Sequence, residues 1–170
     1  MRIAPCLIIL LAVAGIGLAV GCRREEPLPL PPPPISWFPA DSVQAANDLA
    51  TEALKRPWVN EFRDHAARVP VLRIGQIADR SDGEVDMRIL NQELTRAFSA
   101  SSAVRVAEAD GGAADFTLAG TVGFQEADKG AIRYYQIDLK LLDSKNETVG
   151  APLSVERAKD NNPASVDAIK

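Results

Sequence analysis

The sequence has few of the side chains that carry out most enzymatic and metal-binding chemistry. Its 170 residues include two cysteines and one histidine, His65. Cys6 lies within an apolar N-terminal stretch that is typical of a removed signal peptide, so Cys22 alone remains in the mature chain. A single cysteine forms no intramolecular disulfide and no cysteine-ligated metal site. We therefore predict no catalytic residue, no metal site and no cofactor.

Basic residues are also too few to favour a nucleic-acid partner. The 19 Lys and Arg residues are outnumbered by 23 Asp and Glu residues, and the net charge is −4. Because phosphate backbones are bound by concentrated basic surfaces, this acidic balance argues against nucleic acid. The length that follows the N-terminal stretch suits one globular domain.

The N-terminal stretch predicts export and a membrane anchor. Arg2 precedes an apolar run from Ile3 to Val20, and small residues lead to Cys22, which is the pattern of a signal peptide over residues 1–21. The segment resembles a bacterial lipoprotein signal, which implies that Cys22 is lipidated and becomes the mature N-terminus. An uncleaved membrane helix is the alternative, because eighteen apolar residues just reach across a hydrocarbon core of ~30 Å.

Residues 22–40 have the composition of a spacer. Proline occupies six of the eight positions from Pro27 to Pro34, and proline fixes φ and lacks a backbone donor, which favours extended polyproline II. At ~3.1 Å per residue, the stretch from Arg23 to Ala40 reaches up to ~55 Å from the anchor. A docking ligand for an SH3-like groove is the alternative reading. We predict that Ile35, Trp37 and Phe38 pack against the domain.

Three segments have helical periodicity. The first begins with Asp41 or Ser42 as the predicted N-cap, and the second, shorter helix has Pro57 in its first turn. The third has the clearest amphipathic pattern of the chain. Its apolar residues are Val85, Ile89, Leu90, Leu94, Ala97 and Phe98.

Five segments have the composition of strands. They cover residues 69–77, 103–107, 116–125, 131–142 and 148–158. The helix between the first two predicts that they lie parallel, and Asp128–Gly130 predicts a hairpin between the third and fourth. Pro152 predicts that the last strand is either outermost or irregular, because proline in a sheet belongs on an edge strand or at a bulge. In the fourth strand the alternate residues from Arg133 to Leu141 are mostly apolar and should face the helices.

These elements predict an α+β fold in one domain over residues 41–159. The order is α-α-β-α-β-β-β-β, with a mixed sheet of about five strands and helices packed mainly on one face. Residues 160–170 form a polar tail.

Three stretches of the predicted domain carry a family resemblance. They are Val71–Ser81 followed by Val85–Asp86, then Ala113–Gly120, then Arg133–Leu139. In this order they resemble the LpoB family of lipoprotein activators of peptidoglycan synthases. The resemblance implies a monomeric outer-membrane lipoprotein that faces the periplasm and stimulates a bifunctional penicillin-binding protein. A structural lipoprotein of another envelope assembly or secretion complex is the alternative, and an enzyme is not expected.

The polar segment after the first predicted strand is the predicted partner-binding site. Its candidate residues are Asp79, Arg80, Ser81, Asp82 and Glu84. Binding residues concentrate on loops carried by a rigid scaffold, and an arginine can donate paired hydrogen bonds to a partner carboxylate. The alternative is that Arg80 pairs with Asp82 or Glu84 on a solvated turn.

Overall fold

The first helix begins earlier than its sequence pattern predicts. The structure is a computed structural model that describes residues 36–107 and 112–160. Helix α1 spans Pro39–Lys55 with Phe38 as its N-cap, so the predicted N-cap at Asp41 or Ser42 is wrong. Proline at the first helical position already has a helical φ, and the Asp41 carboxylate accepts a 2.8 Å hydrogen bond from the Phe38 N–H. Asp41 therefore stabilises the helix start from within the first turn.

Two shorter helices follow α1. Helix α2 spans Trp58–Ala66 and has Pro57 as its N-cap, one position before its first turn. Helix α3 spans Met87–Ser99, and the Asp86 carboxylate caps it by accepting hydrogen bonds from two backbone N–H groups of its first turn. The side chains that α3 buries are Leu90, Leu94 and Phe98. The amphipathic pattern is therefore confirmed for these three residues, whereas Val85 precedes the N-cap and lies outside the helix.

The described strands form one mixed sheet in the order β2-β1-β3-β4-β5. They are β1 (Val71–Arg80), β2 (Arg105–Val106), β3 (Phe116–Ala127), β4 (Ile132–Asp143) and β5 (Leu153–Asp160). Strand β1 is parallel to β2 and β3, whereas β4 is antiparallel to β3 and β5. The α+β class, the order of elements and the parallel first pair are confirmed. A short 3₁₀ turn at Asp128–Gly130 makes the predicted hairpin.

The first strand is longer at its carboxyl end than predicted. Asp79 and Arg80 remain paired with β3, opposite Val122 and Gly123, so they belong to β1 and not to the loop. The pairing partner lies more than forty residues away in the sequence. Because these two residues are polar, the local sequence does not predict that they continue the strand.

The last strand begins later than predicted. Thr148 forms only an isolated bridge with Leu142, and continuous pairing starts at Leu153. Pro152 directly precedes the strand, where its missing N–H breaks no ladder hydrogen bond. The strand is outermost in the sheet, as Pro152 predicts.

The core lies between the helices and one face of the sheet. Among its fully buried members are Leu49 of α1, Phe98 of α3, Leu118 of β3 and Ile137 of β4. The inward alternation predicted for β4 is confirmed at Tyr135, Ile137, Leu139 and Leu141. All described members of the core cluster and its flanking apolar residues lie from position 37 to position 155. A chain without residues 1–22 therefore keeps this core.

Candidate functional site

The residues predicted to bind a partner divide between the end of β1 and the turn that follows it. Asp79, Arg80 and Asp82 are exposed, Glu84 is half-buried and Ser81 is buried. The predicted set is therefore contiguous in space, but only some of its side chains face solvent. Cys22, the predicted lipidation site, lies outside the described residues, as do Ile35, the predicted signal peptide and most of the predicted spacer.

Asp79 and Ser81 shape the turn. The Ser81 N–H and hydroxyl both donate to Asp79 Oδ1, at 2.7 and 2.5 Å, and the Ser81 Oγ accepts a 3.1 Å hydrogen bond from the Val85 N–H. The Ser81 hydroxyl and then its N–H hold the pKa of Asp79 below its ordinary value. Both polar groups are thus used within the protein.

Two residues in the left-handed region turn the chain back toward the sheet. Asp82 has a φ of 54° and Gly83 has a φ of 81°, conformations that glycine and, less readily, aspartate adopt. The Glu84 N–H then donates to the Ser81 carbonyl oxygen at 3.0 Å. This tight turn leaves Asp82 exposed and directs Glu84 inward.

Glu84 is held by two residues of β4. Its carboxylate accepts hydrogen bonds from the Tyr135 hydroxyl and from Arg133 Nη1. Arg133 also donates to Glu126 at 2.8 Å and lies 4.8 Å from the centre of the Phe124 ring. Burial, and then the neighbouring Glu84, raise the pKa of Tyr135 to about 12. We call Glu84, Glu126, Arg133 and Tyr135 the Glu84 cluster.

The sequence pattern did not identify Arg133 and Tyr135 as part of this site. The sequence did indicate that Arg133 needs an acidic partner. Arg133 belongs to the set of β4 residues that face the core, and a partly buried arginine is usually paired with a carboxylate. The sequence does not show which carboxylate this is, because Glu84 and Arg133 are 49 residues apart in the chain.

The segment that precedes α1 packs against the same cluster. The Trp37 ring lies 5.2 Å from the Tyr135 ring, and its indole N–H donates to Ser42 Oγ at 2.7 Å. Trp37 is 7% exposed, which confirms that it packs on the domain. Phe38 is 53% exposed, and the Lys159 ammonium of β5 lies 5.5 Å from the centre of its ring. The entry to the domain and the turn after β1 therefore meet at Tyr135.

Arg80 is the unpaired cation of the site. Within the part of the chain that the structure describes, it makes no ion pair or side-chain hydrogen bond, and Glu84 is instead bound by Arg133. The pairing of Arg80 with Asp82 or Glu84 is therefore not formed. Arg80 lies at the mouth of a groove of about 200 Å³.

Residues 36–107 and 112–160 contain no other grouping that points to chemistry. No cluster of three or more His, Cys, Asp and Glu side chains able to hold a metal ion occurs in these ranges. His65 is exposed, with Nδ1 2.6 Å from the Glu61 carbonyl oxygen. The helices in these ranges are all too short or too polar to cross a membrane.

Comparison with known proteins finds a match over part of the chain. Residues 41–113 match the family model described as "Peptidoglycan-synthase activator LpoB". This range contains β1, the turn after it and α3. No curated protein matches the chain at a significant level.

Solved structures that are similar to this chain include LpoB domains from two bacteria. The C-terminal domain of LpoB from Salmonella enterica is 12% identical with a TM-score of 0.47, over 69% of this chain and 97% of that one. The C-terminal domain from Escherichia coli is 13% identical with a TM-score of 0.38 over the same shares. The NMR structure of E. coli LpoB is 13% identical with a TM-score of 0.41, over 91% of this chain and 84% of that one.

Proposed function

We propose that this chain is an outer-membrane lipoprotein, anchored through Cys22, that binds and stimulates a bifunctional penicillin-binding protein. The observation that carries the proposal is the match of residues 41–113 to the model of peptidoglycan-synthase activators. The lipoprotein-like signal and the proline-rich spacer support it from the sequence, because an activator held off its own membrane can touch a distant partner.

The turn after β1 suits the contact with the synthase. Its shape is held from within by Asp79 with Ser81 and by the Glu84 cluster, so Arg80 and Asp82 are displayed on a rigid support. A guanidinium without an internal partner is available for paired hydrogen bonds with a carboxylate of another protein. The synthase needs only one accessible acidic side chain to use it.

Charge reversal of Arg80 tests this contact. A hydrogen bond to a charged group contributes about 1.5–3 kcal/mol, so Arg80→Glu should weaken synthase binding roughly ten- to a hundredfold. Arg80 is exposed at the end of β1, so the variant should keep the thermal midpoint of the wild type. Binding is measured by surface plasmon resonance with the purified cognate synthase.

Lys145→Glu is the matched control. Lys145 is exposed in the turn after β4, far along the sheet from Arg80, and its reversal changes the net charge equally. The control should bind as the wild type does. Equal weakening by both variants would indicate a general charge effect and contradict the assigned contact. A wild-type chain that captures only components of another envelope assembly would favour the structural-lipoprotein alternative.

A further inference from the structure

The pairing of three strands builds a polar groove on the face of the sheet away from the core. Arg80 of β1 pairs with Gly123 of β3, which pairs with Gln136 of β4. Two residues along, Thr121 pairs with Asp138. Because side chains alternate along a strand, these residues share one face. Their neighbours Val122 and Ile137 are fully buried in the core on the opposite face.

Gly123 leaves the space that the groove occupies. A Cβ added at this position would lie 3.5 Å from the Cβ of Arg80, an ordinary contact. Because Gly123 has no Cβ, a gap with a volume of about 200 Å³ lies between the side chains of Arg80 and Gln136. A gap of this size admits one end of a short peptide and is too small for a helix or strand.

Opposite charges lie on the two sides of the gap. Arg80 on β1 has no partner among the described residues. Asp138 on β4 is oriented by hydrogen bonds from Gln136 Nε2 at 3.1 Å and from Ser154 Oγ at 2.7 Å. Strand β3 separates the two strands, so their backbones are ~10 Å apart at the usual strand spacing. Neither charge neutralises the other.

We infer that this groove binds a short peptide that carries both a free carboxylate and a free amino group. The carboxylate would receive paired hydrogen bonds from Arg80, in competition with the synthase carboxylate proposed above. The ammonium group would meet the held carboxylate of Asp138. The peptide stem of peptidoglycan has both groups. Naming that stem as the source rests on the proposed function, whereas the charge pattern of the groove does not.

The test is an NMR titration of the isotope-labelled chain without residues 1–22, in the absence of any synthase. The probe is the synthetic stem tripeptide L-alanyl-γ-D-glutamyl-meso-diaminopimelate, and the control is the same tripeptide with its amines acetylated and its carboxylates amidated. The backbone amides of Thr121, Gly123 and Gln136 should shift with the free peptide, with a Kd on the order of 1 mM. The blocked peptide should leave them unchanged.

Substitutions in and beside the groove make the assignment specific. Gly123→Val fills the gap and should weaken binding at least about tenfold, whereas Ala158→Val adds two methyl groups on the exposed edge strand and should not. Asp138→Asn keeps the side-chain shape but removes the charge that meets the ammonium group, so it should weaken binding of the free peptide. Shifts that survive in Gly123→Val, or equal binding of the blocked peptide, would overturn the inference.

The outcome is separable from that of the proposed function. If the free peptide causes no shift while purified synthase shifts the same amides, the groove is a protein contact and the inference is overturned, although the activator role stands. If the peptide binds and no synthase does, the groove is established and the activator role is not.

Discussion

The contact between Glu84 and Tyr135 can be measured with a double-mutant cycle. The Tyr135 side chain is fully buried and its hydroxyl donates to the Glu84 carboxylate. A hydrogen bond to a charged acceptor contributes about 1.5–3 kcal/mol. The Glu84 side chain is 27% exposed, so we expect a coupling free energy near the lower end, about 1.5–2 kcal/mol. Tyr135→Phe, Glu84→Ala and the double variant complete the cycle.

The assay is urea unfolding of the chain without residues 1–22, followed by circular dichroism at neutral pH. A matched cycle replaces Tyr135→Phe with Tyr134→Phe, the preceding residue of β4, whose side chain points to the other face. This second cycle should give a coupling below about 0.5 kcal/mol, as for independent sites. Equal couplings for both tyrosines would refute the assigned hydrogen bond.

The same tyrosine predicts a loss of stability at alkaline pH. Its pKa is raised to about 12 in the folded protein, against about 10 in an unfolded chain. The folded state therefore retains a proton that the unfolded state releases. The stabilising contribution is complete below pH 10 and is lost as the pH rises from about 10 to about 12. Tyr135→Phe should reduce this alkaline loss, and an unchanged pH dependence would contradict the burial of the hydroxyl.

Three further predictions concern the core, an ion pair and the anchor. Leu94→Ala should lower the unfolding free energy by about 2–5 kcal/mol because Leu94 is fully buried. The control Gln92→Ala, which is exposed on the same helix, should change it by less than about 0.5 kcal/mol. Equal urea midpoints for the two variants would mean that α3 faces the other way. The hydrogen bond from Arg68 is the main cause of the lowered pKa of Asp115, so Asp115→Asn should destabilise the domain at neutral pH and lose its effect as the pH falls below about 4. The same deficit in acid would contradict this ion pair. Cys22→Ala should leave an unprocessed or soluble chain in cell fractionation, and wild type recovered solely from inner-membrane fractions would rule out the outer-membrane proposal.

The order of elements was predictable because it follows from local periodicity. The 3.6-residue repeat of α3 and the alternation in β4 each specify a buried face without knowledge of the partner. Strand ends were less predictable, since Arg80 belongs to β1 through its pairing with Gly123. Likewise, the start of β5 depends on where pairing with β4 resumes after Pro152.

The roles of residues 79–84 were not predictable from their composition. Their polar side chains predicted a loop, whereas Asp79 and Arg80 belong to β1 and Ser81 is buried. Glu84 turns inward because Tyr135, 51 residues away, supplies a donor. The groove beside Arg80 depends on a glycine of one strand lying between side chains of two others. Both arrangements follow from strand register, which single-sequence patterns do not specify.

The most direct measurement of the central claim is the rate at which a purified cognate penicillin-binding protein polymerises and cross-links peptidoglycan with and without this chain. The account predicts that the wild-type chain without residues 1–22 raises the rate to a saturating level. It also predicts that Arg80→Glu requires at least about tenfold more protein to reach half of that effect. A correctly folded wild-type chain that neither binds the cognate synthase nor changes its rate would contradict the account.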